Sequence, residues 1–305
     1  MKQDKSAAAQ ALSLAAGWCV CCLLGYLLLR QLTVLATGWY LQHWLAGPGT
    51  GAGQARYERR AWLCELLAAT LPLLVPVWAA VRRLGLPRQR LQLRRPRRGL
   101  LLPAALLCAG AGRLANLAAA WVGGATGSRQ EICLPQDGAA LLLAFLTVCL
   151  APALLEELLF RGVLQGLLRP GGVWAAIWGQ GILFALLHKK LGAVVFALPA
   201  GLLFGWVAEV SGSLTAGTLL HFCNNTAAFV MLWASDRGLG SLAQACSGFL
   251  LAAAPIALLA GAAGLWRQRA RLRLEKGGAS PLWLLRSPAW MAAAAFLLAR
   301  ALLEL

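Results

Sequence analysis

"AALLLAFLTVCLAPALLEELLFRGVLQGLL", residues Ala139–Leu168, is an apolar run interrupted by three charges, Glu156, Glu157 and Arg161. An apolar stretch of about 18 residues or more is long enough to cross a bilayer as a helix. A charge at the bilayer centre costs about 2.5–3.5 kcal/mol on insertion scales. Three charges in one span therefore face protein or a water-filled cavity rather than lipid.

The rest of the chain reads the same way. Of its 305 residues 60% are hydrophobic and 13% charged, well below the quarter usual in soluble domains. The pattern predicts an all-α polytopic membrane protein of about eight transmembrane helices with a polar intramembrane site. The spans are Ala7–Leu29, Ala61–Val81, Leu100–Val122, Ala139–Leu168, Val173–Leu187, Leu191–Val210, Leu214–Ala234 and Phe249–Trp266. A last apolar piece, Pro288–Leu305, is a ninth span or an interfacial helix. Arg30 follows the first span, and Trp39, Tyr40 and Trp44 after it suit the membrane interface. Three segments result: 1–138 with the first three spans, 139–234 with the next four, and 235–305 with the eighth span, a basic segment and the terminal helix.

The net charge of +17 would suggest nucleic acid in a soluble protein. Here the basic residues gather in short loops, so the expected partner is the lipid bilayer and no nucleic acid. Residues 82–99 hold eight arginines and no acid, and "RQRARLRLEK" (267–276) is a second cluster. With the N-terminus cytoplasmic, both fall on the cytoplasmic side, as the positive-inside rule requires. Arg56, Arg59, Arg60, Lys189 and Lys190 then lie on the other side, against the trend. Richness in Leu, Ala and Arg suggests a GC-rich genome and a prokaryotic cytoplasmic membrane. The nine cysteines lack metal-knuckle spacing and receive no role.

Few polar groups remain inside the later spans. Glu157 and Arg161, four apart, share a helix face and can pair. Glu156 points about 100° away and is free for other work. His188 ends the fifth span, and His221 and Asn225, also four apart, share a face of the seventh. A glutamate with a histidine can hold and deprotonate a water. A second histidine and an asparagine can donate hydrogen bonds to an oxyanion. Equally, Glu156, His188 and His221 with an open position would suit Zn2+. Glu209 reads as the end of its helix. Lys189 and Lys190 beside His188 would either lower its proton affinity or attract an acidic terminus such as a substrate carboxylate.

In order, "EELLFR" (Glu156–Arg161), "FALLH" (Phe184–His188) and "HFCNN" (His221–Asn225) resemble the motifs of the CPBP family, the CAAX proteases and bacteriocin-processing enzymes. The resemblance covers about residues 139–234. It implies an eight-helix intramembrane endopeptidase in which Glu156 with His188 activates water, His221 with Asn225 forms the oxyanion hole, and Glu157 and Arg161 support the site. The substrate would be a membrane-embedded or membrane-anchored peptide or protein, such as a CaaX tail or a leader peptide. Metal-free catalysis is favoured because the HExxH zinc motif is absent. The rival reading is a non-catalytic scaffold, or a transporter whose buried charges hold helices or carry protons.

Overall fold

In the computed structural model the described residues are 2–44, 51–83, 85, 91–95, 99–126, 133–188, 190–268 and 280–303. Lys189 and much of both arginine-rich clusters lie outside them. The described chain is helical apart from turns, short 3-10 segments and one isolated β-bridge.

The helices are α1 (Lys2–Trp44), α2 (Ala52–Arg83), α3 (Leu101–Thr126), α4 (Gly138–Phe145), α5 (Ala151–Glu157), α6 (Gln165–Leu168), α7 (Val173–Leu187), α8 (Leu191–Ser211), α9 (Leu214–Asp236), α10 (Gly240–Arg267) and α11 (Pro288–Leu302). Between α4 and α6 the chain stays helical but widens into π turns at Leu146–Leu150 and Leu158–Leu164. Among the described residues six stretches are long and apolar enough to cross a membrane: Ser13–His43, Ala52–Arg82, Leu101–Thr126, Gly138–Gly171, Leu191–Ser211 and Gly240–Arg267. The fifth expected span, α7, is shorter, and so is α11. The seventh, α9, has the length, but His221, Asn224 and Asn225 dilute its apolar character. The molecule is a polytopic, all-helical membrane protein.

The first span differs from its expected limits. Helix α1 runs unbroken through Arg30 to Trp44, so this arginine lies mid-helix rather than beyond the span. Leu32, Val34 and Leu35 continue the apolar pattern, and Arg30 Nη1 donates to Tyr26 Oη at 2.8 Å. That bond and a cavity, described below, make the charge tolerable. Helix α2 likewise begins nine residues before its expected start, with Pro72 and Pro76 inside it. Neighbouring helices re-satisfy the backbone that such prolines free.

Small residues set the close packing, as is usual where lipid offers no hydrophobic drive. A Cβ at Gly110 of α3 would lie 2.6 Å from Ala254 O of α10. Helices α7 and α8 approach through Gly181 and Gly201. Buried glutamines tie the same layer: Gln180 Nε2 donates to Gly201 O at 2.8 Å and Gln165 Nε2 to Gly205 O at 3.0 Å.

The two ends of the bundle are fastened differently. At one end lie the described parts of the arginine-rich loop. Leu91 and Gln92 are buried. Gln92 O accepts from Leu214 N at 2.9 Å, and Leu93 pairs with Ser213. Glu209 closes α8 as expected, but its side chain is also buried, pairing with Arg169 at 2.7 Å and accepting from Gln165 and Gln92. Gln268, just past α10, donates to Gly99 O.

At the other end Glu58 accepts from the backbone of Gln136 and Asp137, and Arg59 grips the Asp137 carboxylate with two bonds of 2.7 Å. Asp137 in turn caps α4 through Ala140 N. Arg59 and that backbone N–H hold its carboxyl well below the usual range. A depressed carboxyl contributes stability that is complete above its unfolded value, near 3.8, and lost as pH falls through the folded value. Asp137→Asn removes that contribution. Thermal unfolding in detergent should therefore show a wild-type advantage at pH 6 that shrinks below pH 4; a constant gap across that range would exclude the capping charge as its source.

Candidate active site

A cavity of about 500 Å³ opens among α1, α2, α5, α7, α8, α9 and α11. Glu156, His188, His221 and Asn225 all line it. The three motifs, far apart in sequence, meet there. Glu157 does not line it. It lies beneath, its side chain 1% exposed, between Arg161 and His221.

The adjacent glutamates thus divide as helix geometry requires, one into the cavity and one into the protein. Glu157 Oε1 sits 2.9 Å from Arg161 Nη1 and 2.9 Å from His221 Nδ1. Arg161, fully buried, also stacks its guanidinium over the Phe184 ring at 4.3 Å and near Phe204 at 5.5 Å. Such desolvated cation–π contacts are worth about 2 kcal/mol each. The arginine is held by one carboxylate and two aromatic faces, and among the described residues its Nε and Nη2 find no hydrogen-bond acceptor.

Hydrogen bonding orders the two histidines. His221 Nδ1 faces the Glu157 carboxylate, which can only accept, so Nδ1 carries a proton and Nε2 is the nitrogen left for the cavity. His188 Nδ1 faces Phe184 O at 3.0 Å, again an acceptor, so its Nε2 is likewise left over. The His188 ring packs edge-on against Phe184. Asn225 Nδ2 donates to Val148 O at 3.1 Å, inside the first π turn, and its Oδ1 accepts from Asn224. The second Nδ2 proton remains for a ligand. Both π turns flank Glu156–Glu157, the usual setting of such widened turns at functional positions.

The cavity holds residues that sequence reasoning missed. Tyr26 and Arg30 enter from α1, Glu65 from α2, Thr147 from the first π turn and Arg300 from α11. Arg30 is close enough to Glu156 and Glu65 to attract both. The signal was present: Arg30 and Glu65 are lone charges within apolar runs, the pattern that marks a lined cavity. Lys190 also lines the wall; its neighbour Lys189 is outside the described residues.

Gly217 was missed as well. A Cβ there would stand 2.8 Å from Glu157 Oε2. Gly217→Ala should push the carboxylate off His221 and lower any turnover about 10-fold or more, since displacements near 1 Å can cost up to 10²-fold. Gly248→Ala, inside α10 with nothing within 4 Å, is the comparison for a glycine loss outside the site. Equal turnover in the Gly217 variant and wild type would remove Glu157 from the working geometry.

The alternative metal set is not assembled. Among the described residues no group of three or more His, Cys, Asp or Glu side chains is placed to hold an ion. Glu156, His188 and His221 share the cavity wall without converging as ligands, and His221 turns Nδ1 to Glu157. All nine cysteines are free thiols.

Residues 138–227 match the family model described as Type II CAAX prenyl endopeptidase Rce1-like. The match bears out the family resemblance read from the motifs, over less than a third of the chain. It includes the three motifs and leaves α1–α3, α10 and α11 outside. No curated protein and no solved structure matches the chain. The match and the buried Glu157–His221 pair support a hydrolase whose site lies within the membrane-spanning bundle.

Proposed function

We propose that the protein is an intramembrane endopeptidase that hydrolyses a peptide bond with a water held by Glu156 and His188. The observation that carries the reading is that Glu156, His188, His221 and Asn225 line one cavity although their motifs are separated along the chain. Glu156 accepts the proton of the attacking water, and His188 Nε2, its ring fixed through Phe184 O, orients that water. His221, held through Nδ1 by Glu157 and donating through Nε2 when both ring nitrogens carry protons, and the second Nδ2 proton of Asn225 stabilise the oxyanion that forms on the carbonyl. Burial in a ring of helices strengthens both effects by excluding bulk water. The substrate is a membrane-embedded or membrane-anchored peptide or protein.

A scaffold or transporter would also bury charges, but it needs no Glu156, His188, His221 and Asn225 gathered on one cavity wall with both histidine rings fixed through Nδ1. The test is hydrolysis of fluorogenic peptides, a prenylated CaaX peptide and a leader-type peptide, by the detergent-purified protein, with and without a chelator. Cleavage that persists at full rate in chelator is expected. Loss on chelation, restored by Zn2+, would replace this mechanism with a metal-dependent one. No cleavage of any peptide in a membrane-segment panel would favour the scaffold.

A further inference from the structure

The cavity is directional. Along α8 it is lined by Lys190, Ala193, Phe196, Ala200 and Phe204, one helix face at intervals of three and four. At 1.5 Å per residue this wall runs about 21 Å. It begins at Lys190, the residue just before α8, and descends to Phe204 beside His221.

Beyond Phe204 and His221, 6% and 7% exposed, the bundle is packed. The segment Leu91–Leu93 lies across the α8–α9 turn, bonded through Gln92 O to Leu214 N and paired at Ser213. Leu91 packs into the main core with Leu159, Phe160 and Val163. Gln92 keeps a left-handed backbone, φ 53°, rare for a residue with a side chain. Its side-chain amide donates to Glu209 Oε1 at 3.1 Å and helps hold it there. Glu209 itself is clamped by Arg169 and Gln165. This packed end is also the arginine-rich end.

Eight arginines in residues 82–99 and the cluster at 267–276 place that end on the cytoplasmic side by the positive-inside rule. We infer that the site receives its substrate from the opposite, non-cytoplasmic face, through the mouth at Lys190, while the Leu91–Leu93 strap seals it from the cytoplasm. The preferred substrate is then a membrane-anchored peptide segment already presented on the outer face, rather than a lipidated tail in the cytoplasm. This rests on the hydrolase reading for its consequence, but the access path does not depend on catalysis.

The experiment is single-cysteine labelling of the full chain by a membrane-impermeant maleimide, in right-side-out and inverted membrane vesicles. The native cysteines are replaced first; if that variant does not purify as a monodisperse species, only the exposed Cys21, Cys133, Cys223 and Cys246 are replaced. Arg95→Cys marks the basic end, Lys190→Cys the mouth and Phe196→Cys the cavity wall. Arg95→Cys should label only in inverted vesicles, and Lys190→Cys and Phe196→Cys at least 10-fold faster in right-side-out ones. Labelling of Phe196→Cys from the cytoplasmic side, or from neither side, overturns the proposed path. Labelling of Arg95→Cys from outside overturns the orientation. Since labelling needs no turnover, an inactive protein with this pattern would reject the enzyme and keep the path.

Discussion

Arg161→Met is expected to destabilise the folded protein by roughly 3–5 kcal/mol, the cost of breaking a fully buried ion pair. Arg161 and Glu157 are both essentially without solvent. Removing the guanidinium leaves the Glu157 carboxylate in the core with only His221 to answer it, and strips the cation from the Phe184 and Phe204 faces. Arg161→Lys should recover little, because an ammonium cannot lie flat between two rings while reaching the carboxylate. The double variant Glu157→Gln with Arg161→Met should regain much of the loss, since neither member of the buried pair is left as a lone charge. Unfolding in mixed detergent measures all three. A single variant within 1 kcal/mol of wild type would show that the pair is dispensable to the fold.

Glu156→Gln is expected to lower peptide cleavage by about 10²–10⁴-fold, the usual contribution of a positioned general base. The amide keeps the size and most contacts of the carboxyl group but cannot take a proton from water. Glu156 lines the cavity and forms no part of the Arg161–Glu157–His221 core. Tm in detergent should therefore stay close to wild type. That separates the two glutamates: Glu157→Gln should lose both stability and turnover, Glu156→Gln turnover alone. Equal effects of the two substitutions on Tm would contradict the division of labour between neighbours one residue apart.

Much of the site was legible because the chemistry is carried by rare residue types in a common background. Two of three histidines and the adjacent glutamates stand out in an apolar chain. The i, i+4 spacing of Glu157 and Arg161 foretold their pairing, and it survives in the structure despite the π turn that begins at Leu158. What spacing could not say is that His221 would reach Glu157 rather than Glu156. That contact spans 64 residues of sequence, and it depends on Gly217 leaving room for the carboxylate.

Arg30 shows the same limit from the other side. A hydropathy window ends a span at a charge because it assumes that lipid surrounds the helix. Here Tyr26 Oη and the cavity lie against that charge, and the helix continues to Trp44. Apolar length and the arginine clusters alone determine an all-helical membrane protein and order its spans, because lipid leaves the backbone few ways to satisfy itself. Which polar groups share a cavity, which are buried beneath it, and which end of that cavity is shut were decided only by tertiary packing. Those outcomes turn on ångström-scale approaches between distant segments, Gly217 to Glu157 and Gln92 to Leu214, and no local pattern in the chain encodes them.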